Sequence, residues 1–261
     1  MGSSVAEMVN RQVRSWSIAQ EARLRDGAPS AVPEPAHVIT ISRTLGSFGP
    51  EIARRVAADL GVPIYDREML DHIAGTAHVR VQTVVTLDER TQGRLDDFLA
   101  ALFRERNFDE SDYFRGLTRT IAALWAHGSC VILGRGASFI IDGAYNLRVR
   151  VDAPVEIRIE RFGRDARVGA SEARRLVLRS DAERAAFGRH CFDCDVTDPL
   201  NYDLCLNTGA IDSEAGAAAL LAAFRTKFRQ ASARGDTARG QATRGGRGAL
   251  VSDERSARVE P

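Results

Sequence analysis

Residues 38–61 read VITISRTLGSFGPEIARRVAADLG. Residues 38–41 are a short apolar run, long enough for a buried strand. A loop carrying Gly46, Ser47 and Gly49 follows. Pro50 stands where a helix accepts proline, its first position, because that N–H has no intrahelical partner anyway. Ile52, Ala53, Val56, Ala57 and Leu60 then recur at helical spacing, and Gly61 supplies the stop. Strand, glycine loop and helix in this order make a phosphate cradle, because loop N–H groups and the positive end of the helix dipole point at one place. The loop departs from the common GxxxxGK[ST] form: Gly49 falls at the lysine position and Pro50 at the Ser/Thr position. On these residues alone, a plain glycine turn before a helix stands beside the phosphate reading.

The same alternation continues outward. Further short apolar runs at 62–65 (VPIY), 130–133, 147–151 and 203–206 read as buried strands. Between them, helical spacing covers residues 68–110, with turns near Gly75 and Gly93, then 111–127, 154–164, 170–187 and 212–229. Strands alternating with helices predict an α/β fold, a five-stranded parallel sheet between two helical layers. Such sheets bind ligands beyond the carboxyl ends of their strands. The loops at those ends hold Arg43, Gly46, Asp66, Arg67, Arg135, Asn207 and Thr208.

Composition narrows the classes. Hydrophobic residues make up 44% and charged residues 27% of 261, the range of a globular protein with one sizeable core. A net charge of +1 gives no bulk attraction to nucleic acid or membrane. No run approaches the ~18 apolar residues of a membrane span, no signal segment is visible, and four scattered cysteines do not make a disulfide framework. A cytoplasmic location follows as an expectation. Of 36 basic residues only Lys227 is lysine, so any cation that handles phosphate near the glycine loop is arginine. Guanidinium suits that task, since it grips phosphate oxygens in pairs and stays charged. His190, Cys191 and Cys194 have the look of a zinc fragment, but a structural site needs four ligands, and the one further cysteine nearby, Cys205, falls in an expected buried strand; no metal site in the protein is expected.

The segments ISRTLGSFGPEIARRVA, VPIYDREML, CVILGRGASFI, APVEIRIERF, DAERAAF and DPLNYDLCLNT, in this order, resemble the cytidylate kinase-like family. That family is a branch of the P-loop nucleoside monophosphate kinases whose loop, SRxxGSxG, lacks the lysine. The resemblance implies a three-layer P-loop NTPase fold, ATP and Mg²⁺ as cofactors, and phosphoryl transfer to a nucleoside monophosphate, CMP or dCMP. It implies that Arg43, Gly46, Ser47, Phe48 and Gly49 hold the ATP phosphates, and that Asp66, Arg67, Arg135, Asp181 and Arg184 bind the acceptor. Arg158 and Arg161, three apart on one helix, would reach both nucleotides' phosphates and act with Arg43 in catalysis. Plainer readings stand beside these: a strand-end ion pair for Arg135, surface ion pairs for Arg67 and for Asp181 with Arg184, and loop hydrogen bonding for Ser47.

Three segments are expected: residues 1–36, an amphipathic helix and proline-broken linker; 37–229, the kinase-like domain; and 230–261, a disordered Arg/Gly-rich tail. Val5, Met8, Val9, Val13 and Trp16 give the first helix an apolar stripe. That stripe docks on the chain's own core or on a second copy, making a homo-oligomer. Two rival functions stay open. Pro50 and the missing lysine favour a nucleotide-binding or regulatory module without catalysis, and a kinase of another small acceptor is the third.

Overall fold

The computed structural model describes residues 4–25, 36–87, 89–105 and 111–245. The chain divides into two compact units, Met1–Leu221 and Ala222–Pro261. In the first, β1 (Val38–Arg43), β2 (Ile64–Tyr65), β3 (Val131–Leu133), β4 (Asn146–Asp152) and β5 (Leu204–Asn207) form one parallel sheet in the order β2-β3-β1-β4-β5. β1 is central because it is apolar on both faces: Val38, Ile39, Thr40 and Ile41 are all buried. Thr40, the one polar member, donates to Asn146 at 2.9 Å and accepts from Ser138 at 3.0 Å, so its buried hydroxyl is paired.

Parallel pairing forces helical crossovers and brings all carboxyl ends to one edge. The glycine loop leads from β1 into α2 (Gly49–Leu60), which buries Ile52, Ala53 and Val56 and stops at Gly61 in the left-handed conformation. Beyond β2 come α3 (Arg67–Gly75), α4 (Ala77–Val85), α5 (Glu89–Glu105) and α6 (Asp112–His127). α6 inserts Phe114, Leu117, Ile121 and Leu124 into the main core, each fully buried and worth roughly 1.5–3 kcal/mol by area. α7 (Ala137–Ile140) follows β3, and α8 (Val155–Ala166) and α9 (Ala170–Phe192) lie between β4 and β5. The amino-terminal helix α1 (Val5–Arg25) packs on α3 and α4, with Val9 buried, Val5 and Val13 partly buried against the core and Trp16 stacked on His127 at 4.0 Å, while Met8 of the stripe stays exposed.

The five strands lie within two residues of their expected places. Several helical boundaries differ. The expected turn at Gly93 falls inside α5, where Leu95, Leu99 and Leu102 are buried and packing outweighs the ~1 kcal/mol helix cost of glycine. α9 runs five residues past 187, to Phe192, because Asp193 caps it in the left-handed conformation. Residues 230–245, expected to belong to a disordered tail, are helical. α10 (Ser213–Gly245) continues through them, in a stretch rich in the helix formers alanine, arginine and glutamine. Within the second unit Phe224 and Phe228 meet edge to face at 4.9 Å. The proline-broken linker at 26–35 and residues 246–261, including most of RGGRG, lie outside the described residues.

Candidate active site

The carboxyl edge of the sheet opens into a cavity of about 330 Å³. Four guanidinium groups line it: Arg43 from the end of β1, Arg67 from the first turn of α3, Arg135 from the turn after β3, and Arg184 from α9. Phe139, Phe187 and Phe192 supply apolar lining, and Ser42, Ser138 and Ser180 add hydroxyls. Glu183 is the one carboxylate lining it.

Arg43 owes its place to two glycines. Its stem passes Gly49, where a Cβ would stand 2.6 Å from the Arg43 Cβ. Its head lies against Gly134, where φ is +87° and any Cβ would overlap the guanidinium. No carboxylate hydrogen bond to Arg43 is found among the described residues. Burial lowers its pKa to about 10, reinforced by Arg184, Arg67 and Arg135 and opposed by Asp66. Burial likewise pulls Arg184 below its ordinary value, with Arg67, Arg150 and Arg158 adding to the effect against Asp181. The cavity is therefore a concentration of positive charge held against its own repulsion.

Arg135 has φ +53° between Gly134 and Gly136, which are also left-handed, a conformation that costs a non-glycine residue ~1–2 kcal/mol. Its Nη2 pairs with Asp71, and its guanidinium lies 5.6 Å over the Phe187 ring. Its Nε is buried with no hydrogen-bond partner among the described residues. Asp71 also accepts from the Tyr113 hydroxyl at 2.9 Å and lies 3.7 Å from Arg67 Nε. Burial, with that hydrogen bond, pushes the Tyr113 phenol up to about 12. Asp66 caps α3 by accepting from Met69 N at 3.0 Å.

The glycine loop is held from α8 and β5. Gly46 has φ +80°, and a Cβ there would stand 2.5 Å from the Arg158 carbonyl oxygen. Phe48, also left-handed at φ +58°, lies under the Arg161 guanidinium at 3.9 Å. Arg161 donates to the Thr208 carbonyl at 2.8 Å and its hydroxyl at 3.2 Å, and the Thr208 hydroxyl lies 3.1 Å from Ser47 O. The fully buried Ser47 hydroxyl donates towards Thr44 O at 2.8 Å and Val151 O at 3.1 Å.

So the structure brings Arg43, Arg67, Arg135 and Arg184 together, and turns two other expected phosphate ligands elsewhere. Arg158 is buried in a two-bond pair with Asp181, at 3.0 and 2.8 Å. Arg161 engages Phe48 and Thr208. Sequence reading missed Asp71, one helical turn beyond Arg67, and Phe187, one turn beyond Arg184; both spacings were visible. It also missed Asp152, at the carboxyl end of β4. Burial would raise the Asp152 carboxyl, but hydrogen bonds from Thr44 (2.7 Å), Ala153 (2.8 Å) and Arg150 (3.0 Å) outweigh it and hold it below the usual range. The tempting zinc fragment is dispersed: the Cys194 thiol faces Gly188 O at 3.8 Å while Cys191 is buried in the core. Among the described residues no group of three His, Cys, Asp or Glu is placed to hold a metal, and no helix is long and apolar enough to cross a membrane.

A glycine loop after the central strand, this strand order and an arginine-lined cavity at the carboxyl edge define a kinase-like protein of the P-loop class. The sequence profile of the cytidylate kinase-like family matches residues 38–210, and the chain belongs to that family. An uncharacterized protein from Eubacterium ventriosum shares the fold, with a TM-score of 0.52 at 18% identity over 72% of this chain and 98% of its own. A shikimate kinase from Bacteroides thetaiotaomicron aligns over 70% of this chain and 96% of its own, at 15% identity and a TM-score of 0.39. No curated protein matches the sequence.

Proposed function

We propose that the protein transfers the γ-phosphoryl group of ATP to a nucleoside monophosphate, with CMP or dCMP the leading acceptors. The observation that carries this is the cavity itself, whose lining combines Arg43, Arg67, Arg135 and Arg184 with Phe139, Phe187 and Phe192. Such a site suits a ligand with a doubly charged end and a flat aromatic end. The buried, unbonded Nε of Arg135 supports the same reading, since a phosphate oxygen would satisfy it.

Phosphoryl transfer asks mainly for positioning and charge neutralisation. The attacking oxygen of a nucleoside monophosphate is already ionised at neutral pH, so no general base is required. Arg43, at the junction of loop and cavity, is placed to neutralise charge on the group in transit. Arg67, Arg135 and Arg184 orient the acceptor's phosphate. The loop from Gly46 to Gly49 offers its N–H groups to the donor phosphates, with Phe48 held by Arg161. The donor set also fits Mg²⁺ bound through phosphate and water: Asp152 is half exposed beside the loop, whereas the Ser47 hydroxyl is enclosed by backbone carbonyls. When bound, Mg²⁺ would supply charge neutralisation on the donor phosphates.

A second reading, nucleotide binding without transfer, is favoured by the enclosed Ser47 hydroxyl and by Pro50, which removes one N–H from the first turn of α2. One assay separates the two. ATP and Mg²⁺ are offered with a panel of monophosphates and ADP release is measured, alongside calorimetric binding. Release with CMP or dCMP is expected. Binding of both nucleotides without release would instead support the second reading.

A further inference from the structure

Arg158 lies between the two halves of the site. Its Nε donates to Ala153 O at 2.9 Å, at the end of β4, and its Nη1 reaches Leu45 O at 3.5 Å, in the glycine loop. Its own carbonyl oxygen is pressed against Gly46. Its Nη1 and Nη2 donate to the two oxygens of Asp181 on α9, and its Nε also lies 3.7 Å from Asp152 Oδ1. Ser180, Glu183 and Arg184, within one turn of Asp181, line the cavity. Arg158 is 6% exposed and so is removed from bulk solvent.

We infer that the Arg158–Asp181 pair is a positioning device that sets the distance between the glycine loop and the α9 wall of the cavity, and that neither side chain contacts phosphate or base. A planar guanidinium fixed by four acceptors admits one relative placement of loop, β4 and α9. Buried ion pairs are poor sources of net stability, so an ordering role accounts better for this one. A second α8–α9 pair, Arg174 with Glu156 at 2.9 Å, is exposed and touches neither the loop nor the cavity, which makes it an internal control. The inference rests on the proposed two-substrate site, but its test has an arm that does not.

That arm is amide hydrogen exchange on the ligand-free full chain. The double variant Arg158→Met/Asp181→Leu replaces the pair by apolar side chains and avoids leaving one buried charge alone. It is expected to exchange about tenfold faster at residues 44–49, with native helix content by circular dichroism, whereas Arg174→Ala leaves the loop unchanged. The kinetic arm uses ATP and CMP. In the double variant the Kd of each nucleotide alone stays within threefold of wild type while kcat falls about 100-fold, the cost of a misplacement near 1 Å. Arg158→Lys, which keeps the charge and loses the planar two-bond grip, falls between. Equal losses in CMP or ATP affinity and in kcat would overturn the inference, by making Arg158 or Asp181 a ligand contact. Unchanged loop exchange would overturn it even if the wild type transfers no phosphate.

Discussion

Arg43→Met should make the protein more stable and less active. A guanidinium pKa lowered by burial to about 10 means that keeping Arg43 charged costs roughly 3 kcal/mol of folding free energy. Methionine can follow the same path past Gly49 and Gly134 without a charge. Lost polar contacts of the head offset part of the gain, leaving about 1–2 kcal/mol, or a rise in Tm of about 2–8 °C for a chain of this size. The sign with pH is fixed by protons. From about pH 10 upward the unfolded wild type holds the proton that the folded wild type releases, so wild-type stability rises there. The advantage of the variant is therefore full below pH 10 and shrinks above it. The functional cost runs the other way: losing one preorganised donor for developing charge lowers kcat by roughly 10²–10³. Thermal melts with and without pyrophosphate, together with ADP release, measure all of this. Pyrophosphate should raise the wild-type Tm and barely move that of the variant. A variant less stable than wild type by 1 kcal/mol or more, with turnover intact, would refute the reasoning and make Arg43 a strut.

Three further outcomes follow from the geometry. Gly134→Ala places a Cβ on the Arg43 guanidinium at a positive φ, so it should lower both Tm and turnover, and Arg43→Met should partly rescue its stability, as read by a double-mutant cycle. Asp71→Asn releases Arg135 and Arg67 from their shared carboxylate; acceptor KM should rise about tenfold with the ATP KM unchanged, in steady-state assays varying each substrate. Truncation after residue 229 leaves the whole family-matched region in place, so turnover should stay within twofold, and a large loss would assign the later part of α10 a role in the site.

Local pattern carried the architecture. A buried strand, a glycine turn and an amphipathic helix each depend on a few consecutive residues, so residues 38–61 announced their geometry and the other four strands did the same. Parallel order then made strand-end residues neighbours, which is why Arg43, Arg67 and Arg135 were legible as one group before any coordinates. What each arginine touches was not. Arg158 and Arg184 both sit on the helices between β4 and β5, yet one is enclosed by Asp181, 23 residues on, and the other faces the cavity. The difference lies in how α8 and α9 pack, which no spacing within either helix encodes. The same holds for Arg161, whose partner Thr208 is 47 residues away, and for Gly134, which yields its place to a side chain from another strand. Sequence determined where cations could gather, through short-range periodicity. Tertiary packing decided which remained unpaired, because burial and the nearest carboxylate are set by contacts between elements distant along the chain.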